Sequence, residues 1–65
     1  MQLNTKPLMT RAELYKAAER MSYYGGSFER GLAHLYFCAD STNIELIVTT
    51  WGHLFEKYND AKVWP

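Results

Sequence analysis

The chain has 65 residues, 48% of them hydrophobic and 15% aromatic, and its seven Lys and Arg balance seven Asp and Glu to a formal net charge of zero. That length sustains at most one thin-cored domain, since a chain of about 60 residues buries only ~60% of the surface its unfolded form exposes; the apolar content argues against intrinsic disorder. Zero net charge removes the long-range field that gathers phosphate backbones, so non-specific nucleic-acid binding is disfavoured.

In chain order, residues 1–9 contain Pro7 and no periodicity, and read as an N-terminal arm whose Leu3, Leu8 and Met9 could dock elsewhere. Thr10-Arg11-Ala12-Glu13 has the spacing of a capping box, in which the threonine hydroxyl and the glutamate carboxylate satisfy backbone N–H groups reciprocally. A first helix is predicted from there. Leu14, Ala17, Ala18, Met21 and, at the margin, Tyr24 recur at three and four residues, and Glu13, Lys16 and Arg20 share the other face. Gly25-Gly26 should end this helix through a left-handed C′ glycine.

Ser27 is the next predicted N-cap, with Glu29 suited to the positive end of the helix dipole. The second helix is expected over 28–39, its core stripe formed by Phe28, Leu32, Leu35, Tyr36 and Ala39, with Gly31 on a flank where another backbone could come close. After a break at Asp40-Ser41, Thr42-Asn43-Ile44-Glu45 reads as a second capping box and starts a third helix near Asn43. Ile44, Ile47, Val48 and Trp51 form its stripe, but Val48-Thr49-Thr50 and Gly52 are poor helix formers, which predicts a kink or break near Trp51-Gly52. Leu54, Phe55 and Tyr58 then mark a short fourth helical segment, and residues 59–65 an irregular tail whose Val63 and Trp64 could pack back. The predicted architecture is all-α: a small three-helix unit over 10–58 with a short fourth segment after Gly52. Its predicted core is Leu14, Ala18, Met21, Phe28, Leu32, Leu35, Tyr36, Ile44, Ile47, Val48, Trp51, Phe55 and Tyr58.

Cys38 is the only cysteine, which fits a reducing compartment and excludes a disulfide within the monomer. Residues 1–7 hold no apolar run of the kind a signal peptide needs, and Glu45 with two threonines interrupts the longest apolar stretch, so a cytoplasmic protein without a membrane span is expected.

Candidate chemistry is sparse. His34 and Cys38 have the i,i+4 spacing of zinc ligands, but no finger-like spacing supplies the other two, so neither a metal nor any other cofactor is expected. As a nucleophile, Cys38 would sit near the negative end of its helix, which works against a thiolate, so no enzymatic activity is expected. Gly25-Gly26-Ser27 before a helix start, flanked by Arg20 and Arg30, could bind a small anion such as a nucleotide signal, although caps alone account for these residues. A helix-turn-helix reading of the second and third helices lacks basic, base-reading side chains, leaving a DNA-binding regulator as the weakest alternative.

The aromatic surplus carries more information. Tyr15, Tyr23, Tyr24, Tyr36, Tyr58, Trp51 and Trp64, beside Phe28, Phe37 and Phe55, exceed what so small a core encloses. Exposed tyrosine and tryptophan give large contact area at low entropic cost. A protein-binding face is therefore expected from Glu13, Lys16, Arg20, Tyr15, Tyr23, Tyr24 and Trp64.

Gly25-Gly26-Ser27-Phe28, Leu32-Ala33, Ala39-Asp40, Asn43, Leu46 and Phe55-Glu56-Lys57-Tyr58 together resemble small helical accessory proteins of tailed phages and prophages. These read as a Gly-Gly-Ser-Phe cap, a helix, an Ala-Asp-x-x-Asn turn, a helix and a closing Phe-x-x-Tyr; about half the chain takes part. His34, Cys38 and Trp51-Gly52 depart from that pattern. The resemblance implies a phage accessory protein of the host bacterial cytoplasm, from a group without a settled activity. The leading expectation is a non-enzymatic binder that blocks the surface of a host protein or complex, as an anti-defence factor would. A homo-oligomer that binds a small anionic ligand is the alternative.

Overall fold

The computed structural model describes residues 9–64, which form three helices and no strand: α1 (Arg11–Tyr24), α2 (Ser27–Cys38) and α3 (Ser41–Tyr58). Most of the predicted arm, with Leu3 and Leu8, lies outside the described residues, as does Pro65; Met9 packs partly against the core. None of these helices is long and apolar enough to cross a membrane.

The first helix starts where its capping box places it. Glu13 N–H donates to Thr10 Oγ1 at 3.1 Å, and Thr10 N–H donates to Glu13 Oε1 at 2.8 Å. It ends at Gly25, whose N–H donates to the Met21 carbonyl at 3.0 Å, but for a different reason from the one expected. Gly25 is extended (φ −82°, ψ 166°), not left-handed. Glycine is required there by proximity, because a β-carbon would lie 2.5 Å from Glu29 Cβ and 2.6 Å from the Met21 carbonyl oxygen.

Ser27 is the first residue of α2 rather than its cap. The cap is Gly26, whose N–H donates to Glu29 Oε1 at 3.1 Å, while no side-chain hydroxyl caps the first turn as the serine was expected to do. A two-residue link follows, and Asp40 caps α3 by accepting from Asn43 N–H at 2.9 Å. The helix thus starts two residues before the predicted Asn43, because the Asp40 carboxylate displaces Thr42 as the cap.

Trp51 (φ −120°, ψ 26°) kinks α3 at the predicted place. Two helical stretches meet at this kink, and the second, which runs on to Tyr58, counts with the first as α3 and not as a separate fourth element among the described residues. Phe55 and Tyr58 are buried on the far side of the kink, and their packing holds the helical register past a stretch of low intrinsic propensity.

The core joins Leu14, Ala17, Ala18 and Met21 of α1, Leu32, Ala33 and Tyr36 of α2, and Ile47, Phe55 and Tyr58 of α3. Fully buried Ala17, Ala18 and Ala33 let the helices approach closely around Phe55 and Met21, the largest completely enclosed side chains. Ile44, Val48 and Trp51, predicted in the core, are its half-buried margin. Two predicted core residues are misplaced: Phe28 is 55% exposed and Leu35 51% exposed. At 100° per residue, the buried face of α2 is rotated by about 60° from the predicted stripe, bringing Ala33 inward and turning Phe28 and Leu35 out.

The tail closes over the end of α3. Asp60 anchors a turn, its side chain accepting from Lys62 N–H at 2.9 Å and its carbonyl from Val63 and Trp64 N–H at 3.0 and 3.1 Å. Trp64 packs back as expected, whereas Val63 stays exposed.

Candidate protein-interaction surface

The last turn of α3 leaves backbone carbonyls without helical partners, and two distant side chains satisfy them. Trp64 Nε1 donates to the Lys57 carbonyl at 2.9 Å, and Arg20 Nη1 donates to the Tyr58 carbonyl at 3.1 Å. The Trp64 indole stacks on Tyr58 (centroids 4.6 Å apart, planes 17°) and on Tyr24 (5.4 Å, 28°), while Tyr23 lies tilted beside Tyr24 at 6.1 Å. The result is an aromatic platform across the C-terminal end of α1 and the tail. Tyr58 forms its floor, and burial, reinforced by the nearby Glu29 carboxylate, raises the phenol above its ordinary range. Tyr24 is half exposed and Tyr23 is 81% exposed.

The structure divides the predicted binding residues. Tyr23, Tyr24 and Trp64 come together in this platform, and Arg20 braces it from beneath rather than facing a partner. Tyr15 lies elsewhere, packed edge-on against Phe37 of α2 at 5.4 Å. Glu13 is committed to the helix cap, and Lys16 pairs with Glu19 at 3.7 Å in an exposed contact worth little on its own.

The predicted anion loop is occupied by the protein itself. The Glu29 carboxylate sits at the Gly26 N–H, and the Arg30 N–H donates to the Gly26 carbonyl at 2.9 Å. An incoming anion would meet a negative charge at the start of α2, and the Arg20 guanidinium is directed to Tyr58. His34 Nε2 and Cys38 Sγ lie 3.7 Å apart on the surface, and no group of three or more metal-ligating side chains occurs among the described residues.

A second surface was not anticipated. Between α2 and α3 run two adjoining shallow grooves of about 270 and 300 Å³ that share Leu35 and Trp51. Phe28 packs edge-on against Trp51 at 5.9 Å, and Leu46, 60% exposed, forms the opposite wall. Gly31 is exposed along the second groove, and a β-carbon there would meet nothing within 4 Å, so the chain's own packing does not account for a glycine that costs a helix about 1 kcal/mol relative to alanine. The signal available in the sequence was the breadth of α2's apolar arc, which is wider than one core-facing stripe requires. No protein-family model, no curated protein and no solved structure matches this chain.

Proposed function

We propose that this chain is a non-enzymatic protein-binding module that blocks a partner's surface with the aromatic platform formed by Tyr23, Tyr24 and Trp64. The observation that carries this reading is the contrast within the platform. Tyr23 stands almost wholly in solvent, while its neighbours are held by stacking and by two hydrogen bonds to the end of α3. The held rings of Tyr24 and Trp64 lose little entropy on docking, which is what an interface hot spot needs, and Tyr23 beside them offers the most exposed contact area. Glu13 and Lys16 lie toward the other end of α1, and together with Tyr15 they extend the contact only to a partner that wraps around that helix.

The partner we propose is a host protein or complex in a bacterial cytoplasm, with the chain acting as a phage accessory or anti-defence factor. Its support is the resemblance carried by the Gly-Gly-Ser-Phe, Ala-Asp-x-x-Asn and Phe-x-x-Tyr segments, together with a described surface that offers aromatic contacts. Quantitative pull-down from bacterial lysate with the wild-type chain and with Tyr23→Ala tests it. One stoichiometric partner, lost with Tyr23→Ala, is expected; no stoichiometric partner, or one retained undiminished by the variant, overturns the reading.

A further inference from the structure

We propose that the α2–α3 groove is a homodimer interface in which a second copy of this chain seats its own α2–α3 face, the two α2 helices crossing at Gly31. This surface is separate from the aromatic platform, and the inference does not rest on the function proposed for it.

The occupant follows from the chemistry of the walls. No side chain lining either groove carries a charge, so a nucleic acid or a charged peptide finds no counter-ion there. Phe28, Leu35 and Leu46, each at least half exposed, leave roughly 100 Å² apiece in water, a central apolar patch of about 300 Å². Homodimer interfaces are the more apolar class of protein contact. They also require self-complementarity, because a two-fold axis places the same patch on both sides. This face has it: Phe28 and Leu35 rise as a ridge on α2, and Gly31 is the notch between them. A β-carbon at Gly31 would meet open space, so a second helix backbone can pass close by. With a formal net charge of zero, two copies approach without long-range repulsion. A standard interface takes about 800 Å² per partner, of which these three side chains supply roughly 300 Å², the remainder having to come from the surrounding groove walls. The modest apolar centre places this dimer at the weaker end, with dissociation in the micromolar range. Dimerisation would also carry two aromatic platforms on one particle and make the binder bivalent.

Sedimentation equilibrium of the full chain from about 5 to 500 µM, a range that brackets micromolar dissociation, tests the proposal. The mass should rise with concentration from 7.6 kDa toward twice that value. Leu35→Gln and Gly31→Leu should each weaken association at least tenfold with unchanged helical circular dichroism, since both positions face solvent in the single chain. Leu46→Gln repeats the test from α3 in case Gly31→Leu disturbs folding. Tyr23→Ala should dimerise as the wild type does, separating this face from the platform. A wild-type mass of 7.6 kDa throughout, groove variants that associate like the wild type, or loss of association with Tyr23→Ala would each overturn the assignment.

Discussion

Replacing Gly25 with alanine puts a β-carbon 2.5 Å from Glu29 Cβ and 2.6 Å from the Met21 carbonyl oxygen, both far inside contact distance. The backbone angles (φ −82°, ψ 166°) are ones alanine adopts freely, so the penalty is purely steric. Neither neighbour yields easily. The carbonyl belongs to the last turn of α1 and accepts the Gly25 N–H, and Glu29 is fixed by its bond to the Gly26 N–H. Overpacking of this kind costs about 1–3 kcal/mol, offset by the ~0.4–1 kcal/mol that alanine gains by restricting the unfolded chain, for a net loss of about 1–2 kcal/mol. In a domain this small that is a fall in melting temperature of roughly 5–15 °C. Gly26 is the internal control: a β-carbon there meets only the Glu29 Oε1 tip at 3.3 Å, and Gly26→Ala should stay within about 0.5 kcal/mol of wild type. Urea unfolding followed by circular dichroism measures both. Gly25→Asn separates the two accounts of this glycine, since a left-handed C′ position tolerates asparagine best and a steric one rejects every β-carbon. Equal stability of Gly25→Ala and Gly26→Ala, or an asparagine variant clearly more stable than alanine, would refute the reasoning.

Arg20→Met removes the charged donor to the Tyr58 carbonyl while keeping the aliphatic stem, and about 1–2 kcal/mol should be lost in urea unfolding. Arg20→Lys should recover part of it, and full stability of Arg20→Met would show that the bond is unimportant. Trp64→Ala deletes two stacking contacts and the Nε1 bond to the Lys57 carbonyl, for a loss of about 1–2 kcal/mol; the remaining tryptophan fluorescence then reports Trp51 alone, and a spectrum of the wild type dominated by solvent-exposed indole would contradict the packed tail. The raised phenol of Tyr58 makes stability depend on alkaline pH: its contribution is complete below the unfolded phenol's range near ~10 and declines as pH rises through the folded value, because the unfolded chain ionises first. Tyr58→Phe should flatten that alkaline decline relative to wild type, and an identical pH profile would assign the decline to other groups.

Much of the candidate surface was hidden in the sequence for a physical reason. Tyr24 and Trp64 stand forty positions apart, and nothing local to either predicts that they stack. Arg20 looked like a ligand-facing cation because its partner, the Tyr58 carbonyl, belongs to another helix. Tyr15 and Tyr24 share α1 but flank opposite sides of its buried face, so membership of one helix did not make them one surface.

The sequence by itself determined the helical class, the Thr10–Glu13 cap, the end of α1 at Gly25 and the kink at Trp51. Each depends on hydrogen bonds or torsional preferences spanning a few residues, and such interactions are written within a short window. Only the tertiary structure decided the phase of α2, the burial of Phe55 and Tyr58 beyond the kink of α3, and which aromatics reach solvent. An apolar arc wider than a single stripe can be buried at several rotations, and the one adopted is the one at which α1 and α3 supply close-packed neighbours.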